Sequence, residues 1–238
     1  MAQNNKYITW LAALLLILLV RGGSAQNAFM KDYMDSYNYY VKEDFNIRFK
    51  IYTMETPTAH EEMAGEGVLM KTGHEYYTMY GANETYILHN TLIILDHSQK
   101  QVNCVTNYTL ANMTSLNKNM LDSTLLSMAD SVVYKGEISD CHVYRIYGYT
   151  EDYEMMDLWL RKNGQGVFKI VYMNSAAAHK NKEEAAAYAR VTVQYYFGEV
   201  ADNKKYLDMK HIFADEKKQI LAARLKAYTL HVADLKKQ

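Results

Sequence analysis

Histidine, carboxylate and cysteine are the side chains with which this chain could break bonds or hold a metal, and their spacing decides whether they do. Eight histidines are present. His60 opens a His-Glu-Glu run and His74 a His-Glu pair, but neither has a second ligand at helical or strand spacing, and no His-Glu-x-x-His occurs. The ligand set of a zinc hydrolase is therefore not assembled locally. Asp152, Glu154 and Asp157 are close enough in sequence to act as paired carboxylates; the reading carried forward is the solvated face of a hairpin. The chain has no Gly-x-Ser-x-Gly, phosphate loop or dinucleotide fingerprint, the motifs that would announce acyl, phosphoryl or hydride transfer. Cys104 and Cys141 lie in the strand-like stretches QVNCVT and DCHVYRIY. A disulfide between them requires those strands to be neighbours or to face each other, and neither cysteine has the surroundings of a catalytic thiol. The expectation is a protein that is not an enzyme and needs neither cofactor nor metal.

The surplus lies in tyrosine and methionine, 22 and 14 residues respectively. Unbranched, polarisable Met adapts to irregular apolar shapes, and Tyr offers an apolar ring with a polar tip. Met70, Tyr77, Met79, Tyr86, Leu88, Leu158 and Phe168 are the candidate ligand-binding residues, although any one of them alone reads as ordinary core. What raises the idea of a cavity is the stretch EYYTMYGANETYILHNTLIILD, Glu75 to Asp96. Tyr77 and Met79 oppose Tyr76 and Tyr80, Tyr86 and Leu88 oppose Ile87, and Leu92 and Ile94 oppose Ile93 and Leu95. An antiparallel sheet needs only one apolar face, so the doubled one calls for a second cover.

The elements that must position these residues follow in order. Lys6, the apolar run from Ile8 to Val20, and the small residues Gly23, Ser24 and Ala25 form a secretory signal peptide. The run is too short to span a bilayer, which takes about 20 apolar residues. Residues 1–25 are expected to be removed and 26–238 to form one domain, exported to the periplasm. With Lys6 and Arg21 gone, 24 of the 26 basic residues face all 27 acidic ones, a balance of −3, which argues against nucleic acid as a partner and against a polybasic hold on membranes. Phe29, Tyr33, Tyr37, Tyr40 and Val41 predict an amphipathic helix. Phe45, Ile47, Phe49 and Ile51 alternate with Asn46, Arg48 and Lys50 as a one-faced strand, and a meander follows from Val68 to about Val105. Leu121, Leu125 and Met128 suggest a second helix from near Asn117 to Ser131. Further strands follow in VVYKGEI, CHVYRIYGYT, a hairpin turning at Asn163-Gly164-Gln165-Gly166, and RVTVQYYF after the alanine-rich insert SAAAHKNKEE. In the tail, Leu221, Leu225, Tyr228, Val232 and Leu235 form a helical stripe that local propensity favours, although RLKAYTLHVAD also reads as a last strand.

The order of these elements, and GEGVLMKTGHEYYTMYGANETYILHNTLIILDHSQKQV in particular, resembles the periplasmic lipoprotein carriers, the Lol carriers. KKYLDMKHIFADEKKQILAARLKAYTLHVAD is similar to that family's closing strands, with Tyr228 near the place of an aromatic. The resemblance implies an α+β fold, a strongly curved antiparallel sheet or incomplete barrel with helices covering its concave face. It implies a carrier that shields a lipid or lipoprotein acyl chain without bond chemistry. The alternative is a structural or adaptor subunit of an envelope secretion or assembly machine, docking envelope membrane proteins on the same fold. One departure stands out: where the carriers place a functional arginine after the lysine of the first meander strand, this chain has Lys71, Thr72 and Gly73, so the family's cargo-gating hydrogen bonds do not carry over.

Overall fold

Four side chains at spacings of four, three and four fix the first element. Phe29, Tyr33, Ser36 and Tyr40 line one side of helix α1, which runs over 26–42, and Phe29 and Tyr33 are buried while Met34 and Val41 remain exposed. Val41 is thus outside the stripe. The computed structural model describes residues 26–108, 129–148, 153–174 and 188–235. The signal peptide, the second helix and the alanine-rich insert fall wholly or almost wholly outside them.

Beyond α1 the described chain is mostly strand. Residues Phe45–Met54 form β1 and Glu62–Thr72 β2; the meander continues through β3 (Glu75–Tyr80), β4 (Asn83–Leu88), β5 (Thr91–Asp96) and β6 (Gln101–Thr106). The β4–β5 link is two residues, His89 and Asn90, both at positive φ, the backbone of a type I′ hairpin that matches strand twist. β7 (Ser131–Ile138), β8 (Cys141–Tyr147), β9 (Met155–Arg161), β10 (Val167–Met173) and β11 (Arg190–Phe197) follow. The sequence-predicted turn at Asn163–Gly166 joins β9 to β10, with Gly164 and Gly166 at positive φ.

With β14 (Thr229–Asp234), these strands form one open, curved sheet in the order β14-β6-β5-β4-β3-β2-β1-β11-β10-β9-β8-β7. Bulges in β1–β2, β9–β10 and β7–β8 add local twist and bend. Every pairing is antiparallel except that of β14, which lies parallel to β6. The tail is therefore a strand and not the helix favoured by local propensity. Before it come two 3-10 turns, Val200–Lys205 and Met209–His211, the small hairpin β12 (Phe213–Asp215) and β13 (Ile220–Leu221), and a third turn, Ala223–Leu225. Among the described residues one α-helix packs on the sheet; the expected set of covering helices is replaced in part by this irregular C-terminal segment.

Residues opposed in register share a face, so burial can be followed across the sheet. One row runs Val102, Leu95, Glu84, Met79, Val68, Arg48, Tyr196, and the next runs Cys104, Ile93, Tyr86, Tyr77, Met70, Asn46. In β2–β6 this face is buried against Met209, Ile212, Phe213 and Leu225 of the C-terminal segment. In β8–β10 the opposite face is buried: Leu158, Tyr144 and Ile146 pack on Phe29 and Tyr33 of α1. The buried face thus changes over across β1, where Ile47 on one side and Asn46 on the other are both buried. The second face of the meander, in the row Tyr76, Ile87, Leu92, Val105, is half-buried.

Candidate functional site: an amphipathic cleft at the edge of the C-terminal cover

Val68, Met70, Tyr77 and Met79 lie on adjacent strands of the face that the C-terminal segment covers, and at β1 that cover ends. A cleft of about 650 Å³ opens there, inside the range of about 300–1,000 Å³ usual for small-molecule sites. Those four side chains give it an apolar floor. Tyr206 forms one wall, its ring stacked on Tyr77 at 5.5 Å between centroids and 17° between planes. Arg48, Lys50 and Tyr196 form the opposite wall, and Glu66 also reaches the opening.

Gly67 allows β1, β2 and β3 to lie this close beside the cleft. A Cβ there would lie 2.3 Å from the Phe49 ring and 2.5 Å from the Met79 carbonyl oxygen, so any larger residue pushes the Phe49 ring and the β3 backbone apart. On the cationic side, Arg48 stands directly across from Val68 on β2 and Tyr196 on β11. The Lys50 ammonium sits 5.9 Å over the Tyr196 ring, although Glu66 is its register partner. Burial, followed by the charge of Glu84, pushes the Tyr77 hydroxyl up to about 12. The cleft therefore grades from neutral apolar surface on β2 and β3 to positive charge on β1, over two strand spacings or about 10 Å.

A polar knot holds the cover in place. Glu84 lies in the buried face of β4, where the Tyr86 hydroxyl donates to its Oε2 and His97 Nε2 is 2.6 Å from its Oε1. His97 Nδ1 is in turn 2.7 Å from the Tyr228 hydroxyl. Arg224 brings Nη1 to 3.5 Å from Glu84 Oε1 and donates from Nε to the His211 carbonyl at 2.7 Å. Burial works to raise the Glu84 pKa, but the hydrogen bonds from Tyr86 and His97 and the Arg224 charge outweigh it and hold the carboxyl below its ordinary value. Asn203, fully buried, donates to the carbonyls of Phe45 and Lys71, both at 2.9 Å, and ties the first 3-10 turn to β1 and β2.

The candidate residues divide among four places. Met70, Tyr77 and Met79 line the cleft. Tyr86 and Leu88 are buried in the same apolar cluster under the C-terminal segment. Leu158 is in the separate cluster beneath α1, and the Phe168 ring packs 5.6 Å from the Arg161 guanidinium. Cys104 on β6 and Cys141 on β8 are buried free thiols, on strands in opposite halves of the sheet order, so the disulfide left open by the sequence does not form. Asp157 of the acidic trio makes a two-pronged ion pair with Arg145 at 2.6 and 2.7 Å that steadies the β8–β9 ladder, and Asp152 lies outside the described residues. Sequence reasoning missed Arg48, Lys50, Tyr196 and Tyr206. The first two were visible as the polar alternation of β1, but that pattern reads as a plain solvent face unless the neighbouring strand is known to bury the same side.

No family model matches the chain, and no curated protein does. Solved structures do. A LolA superfamily protein from Nitrosomonas europaea aligns with TM-score 0.30 and 11% identity, covering 77% of this chain and 98% of that one. Lipoprotein LppX from Mycobacterium tuberculosis aligns with TM-score 0.35 and 9% identity over 73% of this chain and 96% of that one. An uncharacterized conserved protein from Thermus thermophilus reaches TM-score 0.40 at 7% identity, covering 82% and 99% respectively. At such scores the ligands and partners of these proteins do not transfer to this chain, and its chemistry is drawn from its own cleft.

Proposed function

We propose that this chain is a non-enzymatic carrier of the periplasm that takes an acyl chain, free or as part of a lipid or lipoprotein, into the cleft beside Tyr206. The observation that carries this reading is the apolar floor of Val68, Met70, Tyr77 and Met79 left open where the C-terminal cover stops. On β4–β6 the same face is packed by Met209, Ile212, Phe213 and Leu225, so the open part among the described residues is the cleft. A buried methylene contributes about 0.8 kcal/mol. About ten of them give roughly 8 kcal/mol before association costs, which places the expected Kd in the micromolar range or weaker. The Tyr77 and Tyr86 hydroxyls nearest the floor are held protonated by burial.

The test is direct binding of a fluorescent fatty acid, with mass spectrometry of the purified protein for co-purifying lipid. Val68→Trp should fill the cleft, weaken binding at least about tenfold and leave thermal stability close to wild type, because Val68 is only partly buried. Leu88→Glu, at 1% exposure, should abolish the fold by burying an unpaired charge. Absence of binding by the wild-type protein would overturn the carrier reading.

A further inference from the structure

We propose that the cleft selects amphiphiles bearing an anionic head group, received by Arg48 and Lys50 while the acyl chain lies on Val68, Met70 and Met79; the inference rests on the carrier reading above. The head group is a carboxylate or a phosphate monoester, and the shared chemistry is one compact anion on one chain.

The argument is the distribution of charge around the opening. Arg48 occupies the same register row as Val68 and Met79, so the guanidinium stands on the face that carries Tyr77 and Met79 two strands further on. Among the described residues Arg48 makes no ion pair and no side-chain hydrogen bond. Elsewhere on the molecule, arginines of the sheet are engaged: Arg145 with Asp157, Arg190 with Glu61. Lys50 rests over Tyr196 at 5.9 Å and not on Glu66, which leaves its three donors turned to the opening. The two cations on β1 outweigh the single carboxylate of Glu66 at the opening. A guanidinium fork matches the two oxygens of a carboxylate or phosphate, and the Tyr196 ring keeps the Lys50 ammonium oriented. An amphiphile with its tail on the floor has its head about 10 Å away, at two strand spacings, which is where these cations are.

Each cation is partly exposed, so each contributes modestly, and together they give an expected preference of about tenfold. The experiment measures Kd for oleate, oleoyl lysophosphatidate and oleyl alcohol on the full mature chain by displacement of a fluorescent fatty acid. The expected result is that oleate, lysophosphatidate or both bind about tenfold tighter than the alcohol at 0.15 M salt. That advantage should shrink at 1 M salt, where the screening length falls to about 3 Å. The ratio should fall toward one in the Arg48→Gln/Lys50→Gln double variant and be retained in Arg48→Lys. The tighter of the two anions identifies the head group. Equal binding of anion and alcohol by the wild type, or a ratio that the double variant leaves unchanged, overturns the head-group inference while leaving the carrier intact. Failure of all three to bind overturns the carrier reading and this one with it.

Discussion

Replacing Glu84 by glutamine removes one charge from the knot that fastens the C-terminal segment to β4. The carboxylate accepts from Tyr86 and lies 2.6 Å from His97, with Arg224 at 3.5 Å. A hydrogen bond to a buried charged group contributes about 1.5–3 kcal/mol, whereas the half-exposed Arg224 adds about 0–1 kcal/mol. Glutamine keeps one carbonyl acceptor and turns an amide donor toward groups that themselves donate, so about half of the interaction survives and the net cost is about 2 kcal/mol. For a chain of this size that lowers Tm by about 4–8 °C. The pH dependence carries the same signature. The folded-state pKa of Glu84 lies below the ordinary value of 4.5, so the stability it contributes is complete above 4.5 and is lost as pH falls through the folded value. Wild type and Glu84→Gln should therefore differ at pH 7 and converge in acid. A double-mutant cycle with Tyr228→Phe, read by thermal unfolding, should show a coupling of at least about 0.5 kcal/mol, since the two side chains meet through His97. A Tm within about 1 °C of wild type at pH 7, together with strict additivity in the cycle, would refute the claim that this knot holds the cover.

Three further outcomes are expected. Both thiols of the denatured protein should react with a maleimide without prior reduction, because Cys104 and Cys141 are free; a reductant requirement would contradict the sheet order. Gly67→Ala should cost about 1–3 kcal/mol in chemical denaturation, since its methyl group would meet the Met79 carbonyl at 2.5 Å; a neutral effect would mean that β2 and β3 can part freely. Leu158→Ala should cost about 2–5 kcal/mol, the usual result of hollowing a core, while fatty-acid affinity stays at the wild-type value, because Leu158 packs beneath α1 and away from the cleft. A loss of affinity beyond the loss of stability would return Leu158 to the binding site.

Alternation in Phe45–Ile51 and in Glu75–Asp96 was enough to place β1 and the meander, because a period of two survives any tertiary arrangement. The face each strand buries was not legible. Arg48 and Lys50 look identical in pattern to solvent residues, and only the register with Val68 and Met79 shows that they border an apolar floor. The tail misled for a related reason: Leu221, Leu225 and Tyr228 keep helical spacing, but Leu225 is buried in a 3-10 turn and Tyr228 is claimed by His97, so long-range packing overrides propensity. Met70, Tyr77 and Met79 come together at the cleft, whereas Leu158 lies beneath α1 and Phe168 beside Arg161, a separation that residue type alone does not encode.

The changeover of the buried face at β1 also governs how the molecule comes apart. Each half of the sheet has a separate apolar cluster and a separate cover, one closed by the C-terminal segment and the other by α1, and the halves communicate mainly through the ladders of β1 with β2 and β11. Such a construction unfolds as two cooperative units of unequal stability, not as one all-or-none block. The C-terminal cover, built of short turns and a two-stranded hairpin, is the weaker unit. It should open for hydrogen exchange while the amides of β8–β10 under α1 remain protected.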